Sequence, residues 1–395
     1  MIRAFPLSLR LYGRWWLEAF GREGRRAAPL GARRLVVLLI GFPAFMLLQL
    51  LHWLAFLLDE VLFPGYRRVE VRAPLFITGV PRSGTTFVHR ALAKDESQFT
   101  TFRTWEALFA PAIVERKAIV ALAALDRRLG APLSRWVRKL NSRLTGDLAH
   151  IHEVGPQAAE EDYLTLLPAG GSFIAALAFP ISTSVWALGR LPELPESERR
   201  ALLDFYHAML QKHLYTASPG RRLLSKNAAF GSWVSGLEER YPDGRFMVCL
   251  REPTAALSSQ LSAIEAGLTL FGTAAARETF TDGFRHNLAY VFRTLPALRN
   301  RLGTDRLAVI DQGQLRRAPA ETIERALDQL GLRVGETLRA EIAESERQGA
   351  GDGRRHHHAA LRSGKAFDAL AAEVGSLHRD MTDPTVEEPR AARRG

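Results

Sequence analysis

Two hydrophobic patterns alternate along this chain. Leu75–Val80, Arg222–Ser225, Arg245–Leu250 and Leu307–Ile310 are short apolar runs, several of them bounded by Gly, Pro or charged residues. That length and those flanks predict buried strands. Runs of helical character follow them: an amphipathic stretch with Phe87, Val88, Ala91 and Leu92, then Phe230–Arg240, Thr254–Glu265 and Ala320–Leu330. Phe280–Leu302 reads as a long helix. Ala107–Leu144 is helical in pattern, with Arg and Lys on its polar face and breaks at Pro111 and Pro132. Strands alternating with helices predict an α/β fold, a central parallel sheet of P-loop-like topology flanked by helices.

Two stretches lack charge altogether. Leu35 to Leu58 contains no Asp, Glu, Lys or Arg and is long enough to cross a bilayer. No small-residue cleavage site of signal-peptide type follows it. Three readings compete: a single span, a re-entrant or surface-lying element broken at Gly41-Phe42-Pro43, and a buried helical hairpin. Arginines lie on both sides, at 22, 25, 26, 33 and 34 and again at 67, 68 and 72. Positive charge at both ends favours keeping both on the cytoplasmic side. The preferred expectation is a monotopic or peripheral attachment to an anionic membrane surface, on the cytoplasmic face of the inner membrane, with a single pass also compatible. Leu9, Leu11, Trp15, Trp16, Leu17 and Phe20, mixed with Arg10 and Arg14, predict a basic amphipathic helix on the same surface. The second stretch, Tyr163–Gly189, is interrupted by Pro168, Gly170, Gly171 and Pro180 and reads as a pocket wall or lid. The chain divides into a basic and apolar N-terminal segment (1–72), one α/β domain (73–348) and a polar, partly mobile tail (349–395).

Composition narrows the partners. The net charge is +11, and 47% of residues are apolar, ample for a core. A basic balance fits nucleic acid, an anionic membrane or phosphorylated small molecules. No stretch interleaves basic and aromatic residues as a nucleic-acid surface would, so no nucleic-acid partner is expected. The region Arg333–Arg347 is a mixed-charge helix face. Cys249 is the only cysteine, which excludes an intrachain disulfide and a Cys-based metal site. It sits in an apolar strand and reads as a buried small hydrophobe. His356-His357-His358 lie in a Gly- and Arg-rich context and read as solvated; no metal is expected. Trp136, Trp186 and Trp233 read as core or pocket lining.

The chemistry concentrates at two strand ends. Leu75–Val80 runs into Pro81-Arg82-Ser83-Gly84-Thr85-Thr86. The frame Gly79-x4-Gly84-x-Thr86 is that of a loop whose backbone N–H groups cradle a phosphate. Thr85 stands where a nucleotide triphosphatase places its lysine, and the nearby cation is Arg82. The second motif is Arg245–Leu250, then Arg251-Glu252-Pro253 and a helix carrying Ser259. Residues 251 and 259 lie about two helical turns apart, and both can reach one phosphate.

Together these motifs resemble the sulfotransferase superfamily, which uses 3′-phosphoadenosine 5′-phosphosulfate (PAPS). Pro81–Thr86 is similar to its 5′-phosphosulfate loop, and Arg251 with Ser259 to its 3′-phosphate pair. Arg222–Asn227, with Lys226, and the stretch from His152 to Glu160-Glu161-Asp162 resemble segments of bacterial members. The resemblance covers roughly residues 73–335. It implies sulfuryl transfer to a hydroxyl or amine, with PAPS as co-substrate and a small molecule, lipid or glycan as acceptor. The missing lysine then has a reason, because PAPS presents two separate anions and no metal-bound triphosphate. A nucleotide made in the cytoplasm also argues for keeping the domain there. Arg82 and Lys226 are the expected catalytic cations. Glu106, in Thr104-Trp105-Glu106, is the first candidate for the base, because several branches place a catalytic Glu at such a distance after the loop. His152, Glu160 and Glu161 are its rivals. Two alternatives remain: a P-loop kinase or triphosphatase using Asp311 as a metal carboxylate, and a non-catalytic, membrane-attached nucleotide-binding protein. The apolar stretches make an apolar or lipid-linked acceptor the expectation.

Overall fold

In a computed structural model, the described residues are 1–132, 135, 158–336, 338–340, 342 and 364–382. Helices α1 (Ala4–Phe20), α2 (Arg22–Ala27) and α3 (Ala32–Leu62) precede the sheet. Strand β1 (Leu75–Gly79) leads into α4 (Thr85–Ala93), then β2 (Phe99–Thr100), α5 (Thr104–Leu108) and α6 (Ile113–Arg128). After 3-10 turns come α7 (Thr183–Ala187), α8 (Glu196–Thr216), β3 (Arg222–Lys226), α9 (Val234–Arg240) and β4 (Arg245–Leu250). The chain continues through α10 (Pro253–Ala263), α11 (Glu265–Phe271) and α12 (Arg277–Leu302) to β5 (Leu307–Asp311). Helices α13 (Gln312–Arg317), α14 (Pro319–Gln329) and α15 (Lys365–Thr382) follow.

The five strands are parallel in the order β2-β3-β1-β4-β5. Both faces are covered, so the strands are nearly continuously apolar. Leu75, Ile77, Met247, Cys249 and Ile310 point to one layer with α4 and α14. Phe76, Phe246, Val248 and Leu250 point to the other, where the Phe76 and Phe246 rings stack 5.3 Å apart. Strand β1 lies between β3 and β4, and the chain winds first outward to β2 and β3 on one side, then crosses to β4 and β5 on the other. The C-terminal strand ends on either side of β1 therefore form the crevice where ligands bind in sheets of this kind.

The predicted break at Gly41-Phe42-Pro43 does not occur. Val37–Gly41 forms a π turn, in which Phe42 N–H reaches the Val37 carbonyl, and the helix runs on through Pro43. Proline removes a donor and crowds the preceding turn; widening that turn by one residue relieves both. The result is one 31-residue apolar helix, about 46 Å long. Length and composition suffice to cross a membrane. One side of it is nevertheless docked on the domain: Leu38, Gln49, His52, Trp53, Phe56 and Asp59 are buried.

The docking platform is the uncharged stretch Tyr163–Gly189. Tyr12 Oη donates to the Leu167 carbonyl (2.7 Å), Trp53 Nε1 to the Pro168 carbonyl (2.9 Å) and Trp15 Nε1 to Ser184 Oγ (2.7 Å). Each ring thus buries its apolar body while its polar atom finds a partner. A buried ion pair secures the far end. Lys212 Nζ on α8 lies 2.8 Å from Asp59 Oδ2, and both side chains are fully buried. Asp59 also accepts from Ile113 N and Val114 N, 2.8 Å each, at the start of α6. At the other terminus, α15 lies within the stretch read as a polar tail. It packs Phe367, Leu370 and Val374 against the core, and Glu373 pairs with Arg293.

Candidate active site

The turn after β1 is built on unusual backbone. Gly79 and Gly84 have φ of 136° and 95°, and Arg82, a non-glycine residue, has 63°. A Cβ at Gly79 would sit 2.0 Å from the Cys249 carbonyl oxygen, so only glycine lets β1 pass β4 so closely. Val80 N donates to that same oxygen (3.1 Å). Cys249 is buried beneath the loop, and burial pushes its thiol up to about 12. Turns that alternate in handedness curl successive N–H groups toward one point, an anion nest. The left-handed Arg82 costs on the order of 1 kcal/mol and is held by its carbonyl, which accepts from Gln312 Nε2 (3.0 Å) and Arg251 Nη1 (3.2 Å).

This nest opens into a cavity of about 1000 Å³. Its lining brings together Pro81, Arg82, Gly84, Thr85, Thr86, Arg251 and Ser259, as the sequence predicts. Arg82 Nε donates to Ser259 Oγ at 3.3 Å, joining the two motifs across the crevice. Ser83 is in the loop but turned inward, donating to the Val80 carbonyl at 2.6 Å, and is absent from the lining. The opposite wall is apolar, with Tyr163, Phe173, Leu177, Phe280, Phe284 and Leu288. Glu161 lies on the cavity wall and is ion-paired with Lys226 at the end of β3. Lys226 is nearly buried, Glu161 more open.

A nest without a lysine, a second arginine–serine anchor and the carboxylate of Glu161 therefore share one cavity, with Lys226 nearly buried behind Glu161 and outside the lining. The sulfotransferase family model matches residues 74–336. The chain belongs to the sulfotransferase family.

Solved structures agree on the fold of this sulfotransferase. Sulfotransferase STF1 from Mycobacterium tuberculosis H37Rv is similar at 17% identity and a TM-score of 0.67, over 94% of this chain and 92% of that one. Sulfotransferase STF9 from Mycobacterium avium is similar at 17% identity and a TM-score of 0.63, over 96% of each chain. The likeness thus reaches well beyond residues 73–335 into the N-terminal helices and the tail. None of the curated protein sequences matches the chain.

The candidate bases of the sulfotransferase fall in different places. Glu106 does not reach the cavity lining; its Oε2 accepts from Arg103 N (2.9 Å), capping its own helix α5. It lies 3.8 Å from His213 Nδ1, with the buried Arg116 exerting the opposite charge nearby. Its pattern in sequence is that of an N-terminal helix cap, and the structure uses it as one. Glu160 also misses the lining: it accepts from Glu161 N (2.9 Å) and Thr104 Oγ1 (3.3 Å). His152 lies outside the described residues, as do Trp136 and His356–His358. Asp311 Oδ1 caps α13 by accepting from Gln314 N (3.0 Å), and Asp311 is not part of the cavity lining, so the kinase reading gains no metal carboxylate there. Sequence reasoning missed Gln312 and Arg316, both on the cavity wall after β5. The available signal was position, since polar residues just past the end of a parallel strand face the crevice.

Beneath Glu161 the neighbouring Asp162 is fully buried. Tyr206 Oη donates to its Oδ2 (2.6 Å) and lies 3.0 Å from Ser225 Oγ. Burial lifts the Asp162 carboxyl to about 7, with the charge of Glu161 adding to the rise and the Tyr206 hydrogen bond opposing it. The folded-state value is raised. Neutral Asp162 therefore contributes its full stability below about pH 4, and that contribution is lost as the pH climbs toward 7. Asp162→Asn keeps an acceptor for Tyr206 and removes the titration. Its melting temperature relative to the parent should rise on going from about pH 5 to about pH 8. Equal differences at the two pH values would contradict the assignment.

Proposed function

We propose that this sulfotransferase moves the sulfuryl group of PAPS to a hydroxyl or amine of an apolar or lipid-linked acceptor by in-line displacement. The observation that carries this reading is the pair of anion anchors in one cavity, the nest with Arg82 and the Arg251–Ser259 pair, bridged by the 3.3 Å contact. The residues fit the donor: the nest and Arg82 hold the 5′-phosphosulfate, while Arg251, a planar bidentate donor, and Ser259 hold the 3′-phosphate. Arg316 adds positive charge on the same wall.

The acceptor oxygen forms its bond to sulfur as the bond from sulfur to the bridging phosphate oxygen breaks, by analogy with phosphoryl transfer. Negative charge collects on that bridging oxygen, and 3′-phosphoadenosine 5′-phosphate departs. Lys226 and Arg82 stabilise the departing oxygen. Glu161, on the cavity wall and paired with Lys226, takes the acceptor proton; it replaces Glu106 as the preferred base. The apolar wall supports an apolar acceptor.

Helix α3 is read as lying in the plane of the cytoplasmic leaflet. Its docked side supports this over a single pass, because a crossing would carry Gln49, His52 and Asp59 into hydrocarbon.

The test separates the donor readings. The parent should bind 3′-phosphoadenosine 5′-phosphate more tightly than 5′-AMP, and Arg251→Ala should reduce that preference about 10–100-fold, the value of a hydrogen bond to a charged group. Labelled transfer from PAPS should require no Mg²⁺. Equal binding of the two nucleotides, or tighter Mg²⁺-dependent binding of ATP, would sink the proposal.

A further inference from the structure

One face of α3 has no partner among the described residues, and its chemistry is uniform. Ile40, Leu47, Leu51, Leu54, Leu58 and Val61 recur at helical spacing and are 44–77% exposed. Helix α6, packed against α3, continues the apolar surface with the exposed Val120, Leu122 and Leu125. A patch on this scale is far from ordinary for a water-facing surface. Charge brackets it: Arg22, Arg25, Arg26 and Arg33 before the stripe are exposed, as are Arg67 and Arg68 after it. Apolar residues between arginines that can reach headgroups match an anionic lipid leaflet better than a protein partner.

The start of this helix is also tied to the cavity. Arg33 Nη1 donates to the Thr269 carbonyl (3.1 Å) and Arg34 Nη1 to the Phe271 carbonyl (3.3 Å), both on α11. Helix α11 in turn abuts the apolar cavity wall: a Cβ at Gly267 would lie 3.2 Å from Leu177 Cδ1. Leu177 and Ile264, just before α11, line the cavity. Leu270 on α11 is 65% exposed, and Ile174 on the cavity wall is partly exposed. The path from cavity wall through α11 to the membrane-facing helix therefore crosses apolar side chains.

We propose that the acceptor is a membrane amphiphile that enters from the leaflet over α11. Its hydroxyl passes Ile174 and Leu177 into the cavity, while its hydrocarbon chain stays against Leu270 and the first turns of α3. This rests on the sulfuryl-transfer reading above and adds a source and a route for the acceptor. The hydroxyl oxygen bonds to sulfur as the bond from sulfur to the bridging phosphate oxygen breaks, its proton passes to Glu161, 3′-phosphoadenosine 5′-phosphate departs, and the sulfated lipid returns to the leaflet as a more strongly anionic amphiphile.

The experiment uses the full chain with labelled PAPS. It is offered vesicles made from a bacterial lipid extract and, separately, soluble p-nitrophenol and an alkyl-free glucoside. Co-sedimentation with phosphatidylglycerol and phosphatidylcholine vesicles is measured in parallel. The parent is expected to sediment with phosphatidylglycerol vesicles and to place the label in the organic phase. Leu270→Asp, at the exposed surface, should cut lipid labelling at least about tenfold while nucleotide binding and sedimentation stay at parental levels. Leu54→Asp with Leu58→Asp should abolish sedimentation and lipid labelling together, with nucleotide binding kept. Label found only in the soluble acceptors, or Leu270→Asp transferring to lipid as the parent does, overturns the route. Sedimentation with neither vesicle type overturns the leaflet as the occupant of the apolar face. Failure of the parent to bind 3′-phosphoadenosine 5′-phosphate instead removes the sulfuryl-transfer reading itself.

Discussion

Lys226→Ala is expected to lower the kcat for sulfuryl transfer by about 10²–10³-fold, the loss typical for one preorganised group that stabilises developing charge. The side chain stands at the C-terminal end of β3, between β1 and β2, nearly buried and ion-paired with Glu161. In the ground state its ammonium already has a counter-charge. On the proposed reading, negative charge grows at the bridging oxygen as its bond to sulfur breaks, and Lys226 is the cation assigned to it. The effect should fall on kcat, because the proposed reading assigns the two phosphates to other groups, the nest with Arg82 and the Arg251–Ser259 pair. Glu161→Gln distinguishes the two roles. It removes the proton acceptor but keeps the lysine, so transfer should slow most for an unactivated hydroxyl and least for an acidic acceptor such as p-nitrophenol, whereas Lys226→Ala should slow transfer to both alike. Single-turnover kinetics with labelled PAPS measure both. An unchanged kcat in Lys226→Ala, or a change confined to KM, would remove the lysine from the chemistry.

The second large effect concerns the joint between α3 and the domain. Asp59→Ala should destabilise the protein by about 3–5 kcal/mol, the cost of breaking a buried pair from one side. Three partners lose their acceptor at once: Lys212 Nζ, fully buried, and the Ile113 and Val114 amides that open α6. Lys212 also lies 3.8 Å from the centroid of the Tyr66 ring, a contact that favours the charged form but does not replace a carboxylate. The double variant Asp59→Leu with Lys212→Met should regain much of the loss, since hydrophobic replacement of a buried pair is often neutral. What stays lost in the double variant reports the cap on α6, roughly 1 kcal/mol. Thermal melts and proteolysis between α2 and β1 measure the series. A single-variant loss under about 1 kcal/mol would show that the pair is not the latch.

The catalytic sheet was legible in the sequence because its strands are short, apolar and punctuated. Leu75–Val80, Arg222–Ser225, Arg245–Leu250 and Leu307–Ile310 each match an observed strand within a residue. Only β2 left no trace, because two residues at a sheet edge carry no periodicity. The nucleotide loop was legible for a different reason. Its glycines sit where backbone must pass backbone, and that constraint is written into residue type. Facing was not legible. Glu106 and Glu161 are both acidic residues beside aromatic neighbours, yet one turns back to cap its own helix and the other turns to the cavity. That choice depends on how α5 and the following turn pack. Nor could a local rule foresee that a π turn would carry a helix through Pro43, since the rule judges proline by the turn it disrupts. Gln312 and Arg316 became visible only once β5 was placed beside β4.

The buried Cys249 has a practical bearing on the membrane question. It is the chain's single thiol, sealed under the nucleotide loop and held protonated by burial, and thiolate character governs cysteine chemistry. A cysteine introduced at Leu51 or Val61 would consequently be the one thiol that reacts, with no need for a cysteine-free background. A fluorophore attached there, quenched by nitroxides fixed at known positions along lipid chains, would read the depth of α3 directly in the otherwise native protein.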